Sequence, residues 1–461
     1  AEDIGQNFRW EKSAAIFLEH VNRTAESFGT SSGNMVSSRR QHDVMIVSLG
    51  PPPVFPDGSV EGGGLRCWGL AKGLRAQLPD HRIAVAYSEN FRGANRDLTR
   101  DGIHVTTWRD GELPSLVASA KTVIASYCMG EISVRISEAI EDDQILVLDC
   151  YVPIYVEVSA RKSGDLGREQ TAFERDMASW NKALLRGDIY LCANAPQRSF
   201  YTGVLSALGR LSPKTYGQDP IMEVPFGIYR EQPVATDTPC SNLVGREGTR
   251  KVMWFGGIYP WFDLRNLMEA VAMMNQDYPT ALIVVGASNP FVNHPDFVAR
   301  YEQTILHASQ PHLKNLVHFH PWIPFHERAN WYLDADITVL INDIGVENEY
   351  AWRTRLVDYL WGGMLIATNG GDPLSERLFQ RGAAVKLNGL TPTALAADLR
   401  GALEDKDAAD RARENLSSLK EEFFWDKVVA PLAERIAPSE GIASDSLSSE
   451  ASSPQSIQSN P

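Results

Sequence analysis

From Glu347 to Gly363 the chain reads Glu-Asn-Glu-Tyr-Ala-Trp-Arg-Thr-Arg-Leu-Val-Asp-Tyr-Leu-Trp-Gly-Gly. Carboxylates (Glu347, Glu349, Asp358) and guanidinium groups (Arg353, Arg355) are interleaved within one short segment. An acid can hold a ribose or sugar hydroxyl, and an arginine can grip a phosphate through two parallel hydrogen bonds. An apolar run at 337–341 precedes the segment and reads as a buried parallel strand; a second run at 364–367 follows and ends in Thr-Asn-Gly-Gly. The charged residues therefore fall where a strand gives way to a helix, at the carboxyl edge of a sheet. Ligands bind at that edge in open α/β folds, and helix N-termini there favour anions. A solvated loop with a local ion pair is the competing account of the same residues.

Two glycine clusters occupy equivalent places. Gly62-Gly63-Gly64, followed by Leu65-Arg66, and Gly256-Gly257 each fall between a strand and a helix. The absence of a side chain lets a backbone approach a pyrophosphate or a sugar, and equally lets it turn tightly. Asp263, in a Trp-Phe-Asp turn, is either a helix cap or a substrate contact. Asp149 and Tyr151 directly follow a strand and are placed to hold acceptor hydroxyls, with a capping role for Asp149 as the alternative. A metal site is not expected. His318 and His320 alternate on one strand without a third ligand at suitable spacing, and Asp142-Asp143 sits in an acidic, solvated turn.

These residues need a scaffold of alternating strands and helices. Strand-type runs at 44–49, 83–87, 123–126, 145–148 and 189–193 are separated by helical stretches, among them an amphipathic helix at 65–78. A second series, at 252–255, 281–286, 316–319, 337–341, 364–367 and 384–386, begins after Val224-Pro225-Phe226-Gly227-Ile228. Alternation of this kind implies βαβ units and a parallel sheet in each half. The domains are therefore placed at 41–228 and 229–436, with a linker near 225–248 and the last helix free to pack back on the first domain. Residues 1–40 read as a separate helix (11–26) and a Ser/Gly-rich linker, and 437–461 as a disordered, Ser/Pro/Gln-rich tail. Phe8-Arg9-Trp10-Glu11-Lys12 echoes Phe423-Phe424-Trp425-Asp426-Lys427, which raises the expectation of a segment from a longer, multidomain polypeptide.

Composition narrows the class. With 461 residues the chain exceeds one typical core, and 43% apolar with 22% charged residues describes an ordinary soluble protein. A net charge of −14 argues against nucleic-acid binding, since a surface would lack the cations to neutralise phosphates. The apolar runs are too short to span a membrane. Cys67, Cys128, Cys150, Cys192 and Cys240 show no ligand spacing and suit buried thiols in a reducing, cytoplasmic setting.

In this order the pieces resemble the GT-B glycosyltransferases, closest to the retaining nucleotide-sugar transferases called family 4 or group 1. The resemblance covers roughly residues 42–436. Val44-Met45-Ile46-Val47-Ser48 with Gly62–Gly64 and Leu65-Arg66 looks like the acceptor domain's first strand and glycine loop. The 224–228 segment looks like the interdomain crossing, and Phe255 to Asp263 like the first loop of the donor domain. Residues 347–363 look like the acidic helix start and the glycine turn behind it.

The resemblance implies an α/β GT-B fold, two Rossmann-like doubly wound parallel-sheet domains around a cleft. It implies transfer of a sugar from a nucleotide-diphosphate donor to a hydroxyl acceptor, glycan, lipid-linked or small, without metal or other cofactor. The family places two acids eight positions apart, but counting back eight from Asp358 reaches Tyr350. The first-acid role is carried to Glu349, with Glu347 as the alternative, and the ribose-binding role to Asp358. The family's basic pair in the donor loop is missing, Gly257 and Phe262 standing in the matching places. Arg353 and Arg355 then become the suppliers of charge, one at the pyrophosphate and one in an ion pair, with Arg353 favoured for the phosphate. Gly256, Gly257 and Asp263 complete the donor side; Gly63, Gly64, Arg66, Asp149 and Tyr151 make up the acceptor side.

Rival readings are a sugar-nucleotide epimerase, a phosphorylase and a non-catalytic nucleotide- or sugar-binding module. The phosphorylase needs a lysine for pyridoxal phosphate, and none occurs between Lys314 and Lys386. Peripheral membrane contact stays open.

Overall fold

The apolar runs become strands buried on both faces, the environment in which parallel sheets form. The computed structural model describes residues 40–55, 60, 62–91, 97–126, 131–159, 166–290 and 295–437. The expected N-terminal helix and linker, the tail beyond 437, the first half of the short repeat and Cys128 lie outside these residues. Among the described residues no helix is long and apolar enough to cross a membrane.

The first half carries an eight-stranded sheet: β1 (His42–Ser48), β2 (Ile83–Ser88), β3 (Leu98–Arg100), β4 (Ile103–Trp108), β5 (Ala120–Ala125), β6 (Ile145–Asp149), β7 (Ile189–Cys192) and β8 (Ile221–Glu223). Their order is β3-β4-β2-β1-β5-β6-β7-β8, and every pair is parallel except β3 with β4. The second half carries six: β9 (Arg250–Phe255), β10 (Thr280–Val285), β11 (Val317–His320), β12 (Ile337–Leu340), β13 (Ile366–Thr368) and β14 (Val385–Lys386). They run β11-β10-β9-β12-β13-β14, all parallel. Register is set by apolar strands at the centre: Val44–Val47 of β1 pair with both β2 and β5, and Val252–Phe255 of β9 with β10. Two doubly wound sheets, one per half, give the GT-B architecture.

The two halves are joined at a crossing built around one tryptophan. Helix α1 (Gly62–Gln77) presents Gly69 and Gly73 to Trp425, which opens α7 (Trp425–Val428) near the C-terminus. A Cβ on Gly69 would lie 2.0 Å from the Trp425 ring, so only glycine admits the indole there. Gly227 in the crossing is also closely packed, its Cβ position 2.8 Å from the Phe423 carbonyl oxygen. Backbone hydrogen bonds from Ile228 N to Phe423 O (2.7 Å) and from Trp425 N to Ile228 O (3.0 Å) stitch the returning chain to the crossing.

A second contact bridges the sheets on the far side. Asn194 caps helix α2 (Ala195–Ala207) by accepting from Gln197 N, as its position before a helix favours. The Gln197 side chain then donates to the Tyr350 carbonyl (2.8 Å), while the Tyr350 ring meets Phe200 edge-on at 5.4 Å.

Candidate functional site

The C-terminal ends of β9, β10 and β11 open onto a cavity of about 190 Å³. Gly256 and Gly257 line it after β9, Gly286 after β10, and Trp322, Ile323 and Phe325 beyond β11. Helix α6 (Thr354–Gly362) contributes Thr354, Arg355 and Asp358. The first half supplies Val60, Gly62 and Leu65, so the cavity is the cleft between the sheets. Gly256 adopts φ +96°, a region that favours glycine, and a Cβ there would stand 3.1 Å from the Arg355 guanidinium.

Arg355 is held by the donor-loop segment itself. Its Nη2 donates to the Gly257 carbonyl at 2.8 Å, and the guanidinium lies 4.3 Å over Trp254 and 4.7 Å over Phe262. Its Nη1 is buried without a hydrogen-bond partner. Burial lowers the Arg355 pKa, chiefly by desolvating the cation. A desolvated guanidinium with a spare N–H is prepared for an oxyanion.

Asp358 stands one turn further along α6 and faces the same cavity. Arg328, which opens helix α4 (Arg328–Leu333), approaches Asp358 Oδ1 to 3.8 Å, and the Tyr332 hydroxyl donates to Oδ2 at 3.4 Å. Burial raises the Asp358 pKa, opposed by Arg328, the Tyr332 hydrogen bond and Arg355. Arg328 is itself sandwiched between Phe325 (3.6 Å) and Trp361 (3.9 Å), donates to the Phe325 carbonyl and keeps a buried, unpartnered Nε. Sequence reasoning did not single it out. Its signal was an arginine at a helix start behind a strand end, in Pro-Phe-His-Glu-Arg.

Arg353 has a different task. It forms a bidentate pair with Glu347 (3.0 and 2.7 Å) and donates to Asn348 Oδ1 at 2.8 Å. The two side chains are 7% and 13% exposed, so this is a buried pair tying the start of α6 to helix α5 (Val346–Tyr350). Arg353 makes the ion pair and, with Glu347, borders the second cavity of the cleft, whereas Arg355 lines both cavities. Glu349 is exposed on α5 and lines neither of these two cavities, while Tyr350 beside it is held toward α2 by the Gln197 side chain.

A neighbouring cavity of about 240 Å³ shares Tyr259, Thr354 and Arg355 with the first. Tyr151 and Glu157 border it on one side, Trp261, Glu347 and Trp352 on the other. Tyr151 thus faces the cleft as expected of a residue beyond β6.

Arg66 and Asp149 are corrected from acceptor contacts to a buried clamp. Both are 0% exposed and pair at 2.9 Å. Arg66 also donates to the Val224 and Pro225 carbonyls (2.8 Å each) and lies 4.9 Å from the Tyr151 ring. Four of its N–H groups are thus engaged, two by Asp149 and two by the crossing carbonyls. The glycines at 62–64 form the first turn of α1 rather than a loop; Gly64 packs where a Cβ would meet the Pro51 carbonyl at 1.9 Å, and Gly63 is half-buried beside it. Asp263 accepts from the Arg265 backbone (3.0 Å) and pairs with its side chain (2.5 Å) just before helix α3 (Arg265–Met274), whose N-cap position is Leu264. Among the described residues no group of three His, Cys, Asp or Glu is arranged to hold a metal. Cys67, Cys150, Cys192 and Cys240 are buried free thiols.

No protein-family model matches the sequence. No curated protein matches it significantly either. Solved structures do match its fold. WaaG, a glycosyltransferase of lipopolysaccharide biosynthesis, aligns at a TM-score of 0.58 and 15% identity over 86% of this chain and all of its own. HepE from Anabaena, solved with UDP and glucose, aligns at 0.57 and 14% identity over 86% of this chain and 99% of its own. A Burkholderia xenovorans trehalose-phosphate synthase, solved with glucose-6-phosphate, aligns at 0.58 and 10% identity over 86% and 100%. The chain has their fold.

Proposed function

We propose that this chain is a GT-B glycosyltransferase that binds a nucleotide-diphosphate sugar in the cleft and transfers the sugar, with retention, to a hydroxyl acceptor. One observation carries the reading: Arg355, with a buried spare N–H, stands beside the glycine turns after β9 and β10, one helical turn from the Asp358 carboxylate. In this reading Arg355 and the Gly256–Gly257 backbone hold the diphosphate and stabilise it as it leaves. Asp358, steadied by Arg328 and Tyr332, accepts from a ribose hydroxyl. Tyr151, Glu157 and Trp352 border the space left for the transferred sugar and its acceptor. The leaving phosphate takes the acceptor proton, so the reaction needs no protein base, and arginine supplies the charge a metal would otherwise provide. The solved neighbours that hold UDP or glucose-6-phosphate lend this reading support by analogy of fold.

Exposure of Glu349 favours the rival, a nucleotide-binding module without turnover. The two part on donor hydrolysis. Incubation with UDP-, GDP-, dTDP- and ADP-sugars, without acceptor, releases nucleotide diphosphate from one base class if the chain is an enzyme. Release falls about 100-fold in Arg355→Ala. Tight binding with no release supports the module.

A further inference from the structure

Beyond Trp261 and Glu347, which border the second cavity, the cleft continues into an open groove of about 590 Å³. Its walls are mainly apolar: Tyr155 and Phe173 from the first half face Pro260 and Trp261 from the second. At its mouth Ile344 is 91% exposed and Val346 59% exposed. Both belong to the segment that carries Glu347, so this apolar lip lies on the same piece of chain as the cleft's ion pair. The groove is larger than the cleft cavities of about 190, 240 and 120 Å³ and has room for a chain rather than a single sugar ring. Charge narrows the occupant further. Among the described residues that line the groove the charged ones are Asp343 and Glu347, Glu347 already paired with Arg353, and none is lysine or arginine. Such a surface disfavours a phosphate or sulfate and accepts an uncharged hydrocarbon.

We propose that the groove binds the uncharged aliphatic portion of an amphipathic acceptor whose hydroxyl-bearing head enters the cleft at Trp261 and Glu347. The inference rests on the transferase reading for its direction, because continuity with the cleft is what makes the groove an acceptor subsite. Apolar surface at Ile344 and Val346 is covered when such a chain lies along the lip, and the gain grows with chain length. Anionic lipid carriers would place a phosphate against Asp343, so the preference is for a neutral glycoside.

The probes are methyl and n-octyl β-D-glucopyranoside, the latter below its micelle concentration, with n-octyl phosphate as the charged counterpart. Binding is measured calorimetrically to wild type, Ile344→Glu and Ile344→Glu/Val346→Glu, with and without saturating nucleotide diphosphate. The octyl glucoside is expected to bind at least ~10-fold more tightly than the methyl compound and than octyl phosphate. That preference is expected to vanish in the double variant, whose thermal stabilisation by nucleotide stays at the wild-type value. Equal binding of octyl and methyl glucosides, or a preference that survives in the double variant, overturns the proposal. Concentration-dependent self-association that the double variant abolishes also overturns it, since a second copy then covers the lip. Nucleotide binding without octyl preference removes the groove alone. Octyl preference without any nucleotide binding keeps an apolar-chain site and removes the transferase reading.

Discussion

The guanidinium of Arg355 lies 4.7 Å over the ring of Phe262. Phe262 occupies a position where the family that the sequence resembles carries a basic residue, and Arg355 comes from the start of a different element, α6. Trp254 and Phe262 hold the guanidinium in place, and the Gly257 carbonyl takes one N–H. Arg355→Ala should therefore cost about 100-fold in turnover and most of the affinity for nucleotide diphosphate. Arg355→Lys should recover only part, because an ammonium cannot offer the parallel donors. Steady-state rates with fluorescence titration check both.

Asp358 links function to stability. Burial raises its folded-state pKa, so the folded protein favours the protonated acid, a contribution present below the unfolded Asp pKa and lost as pH rises through the folded value. At neutral pH the ionised side chain is held against that preference. Asp358→Asn should accordingly be at least as stable as wild type at neutral pH, with the difference closing as pH falls through the Asp range. With the carboxylate as the proposed acceptor for a ribose hydroxyl, nucleotide binding should be lost in the variant and should weaken in wild type on acidification. Chemical denaturation across pH, alongside nucleotide titration, separates the two effects.

Arg353 should behave as a structural residue. Removing one member of a buried pair leaves the other uncompensated, at about 3 kcal/mol. Arg353→Met should lose about that much stability, and Arg353→Met/Glu347→Leu should recover a good part of it. Urea denaturation of the single and double variants gives the comparison. A similar loss in Arg355→Ala would erase the distinction drawn between the two arginines.

The crossing offers a test of packing. An alanine methyl at Gly69 would overlap the Trp425 indole, and overpacking of this kind costs about 1–3 kcal/mol. Gly69→Ala should lower stability within that range and make the C-terminal helix α8 (Ala430–Ile436) more accessible to limited proteolysis. Unchanged stability and protection would mean that the returning chain does not depend on this contact.

Much of the scaffold was legible because parallel strands are uniformly apolar. The runs at 44–49 and 252–255 surface as β1 and β9 within a residue or two. Strands with weaker signals escaped: β4 alternates Ile-His-Val-Thr-Thr-Trp near a sheet edge, while β3 and β8 are three residues each. Glycine content misled the reading at 62–64, where tertiary packing against Pro51 overrides poor helix propensity and the helix begins at Gly62. At the cleft, residue types did not disclose the direction of each side chain. Arg353 and Arg355 differ by two positions, yet one pairs with Glu347 and the other packs on Trp254 and Phe262. Arg66 and Asp149 are 83 positions apart, so no local pattern could disclose their pairing. Arg328 escaped for the same reason, since its partners Asp358 and Trp361 are brought to it by the fold.

The most direct measurement is thermal stabilisation by UDP, GDP, dTDP and ADP of wild type, Asp358→Ala, Arg355→Ala and Arg353→Met. A shift with one base is expected that disappears in Asp358→Ala and Arg355→Ala but persists, from a lower starting temperature, in Arg353→Met. No shift with any nucleotide, or a shift that survives loss of both Asp358 and Arg355, would contradict that expectation.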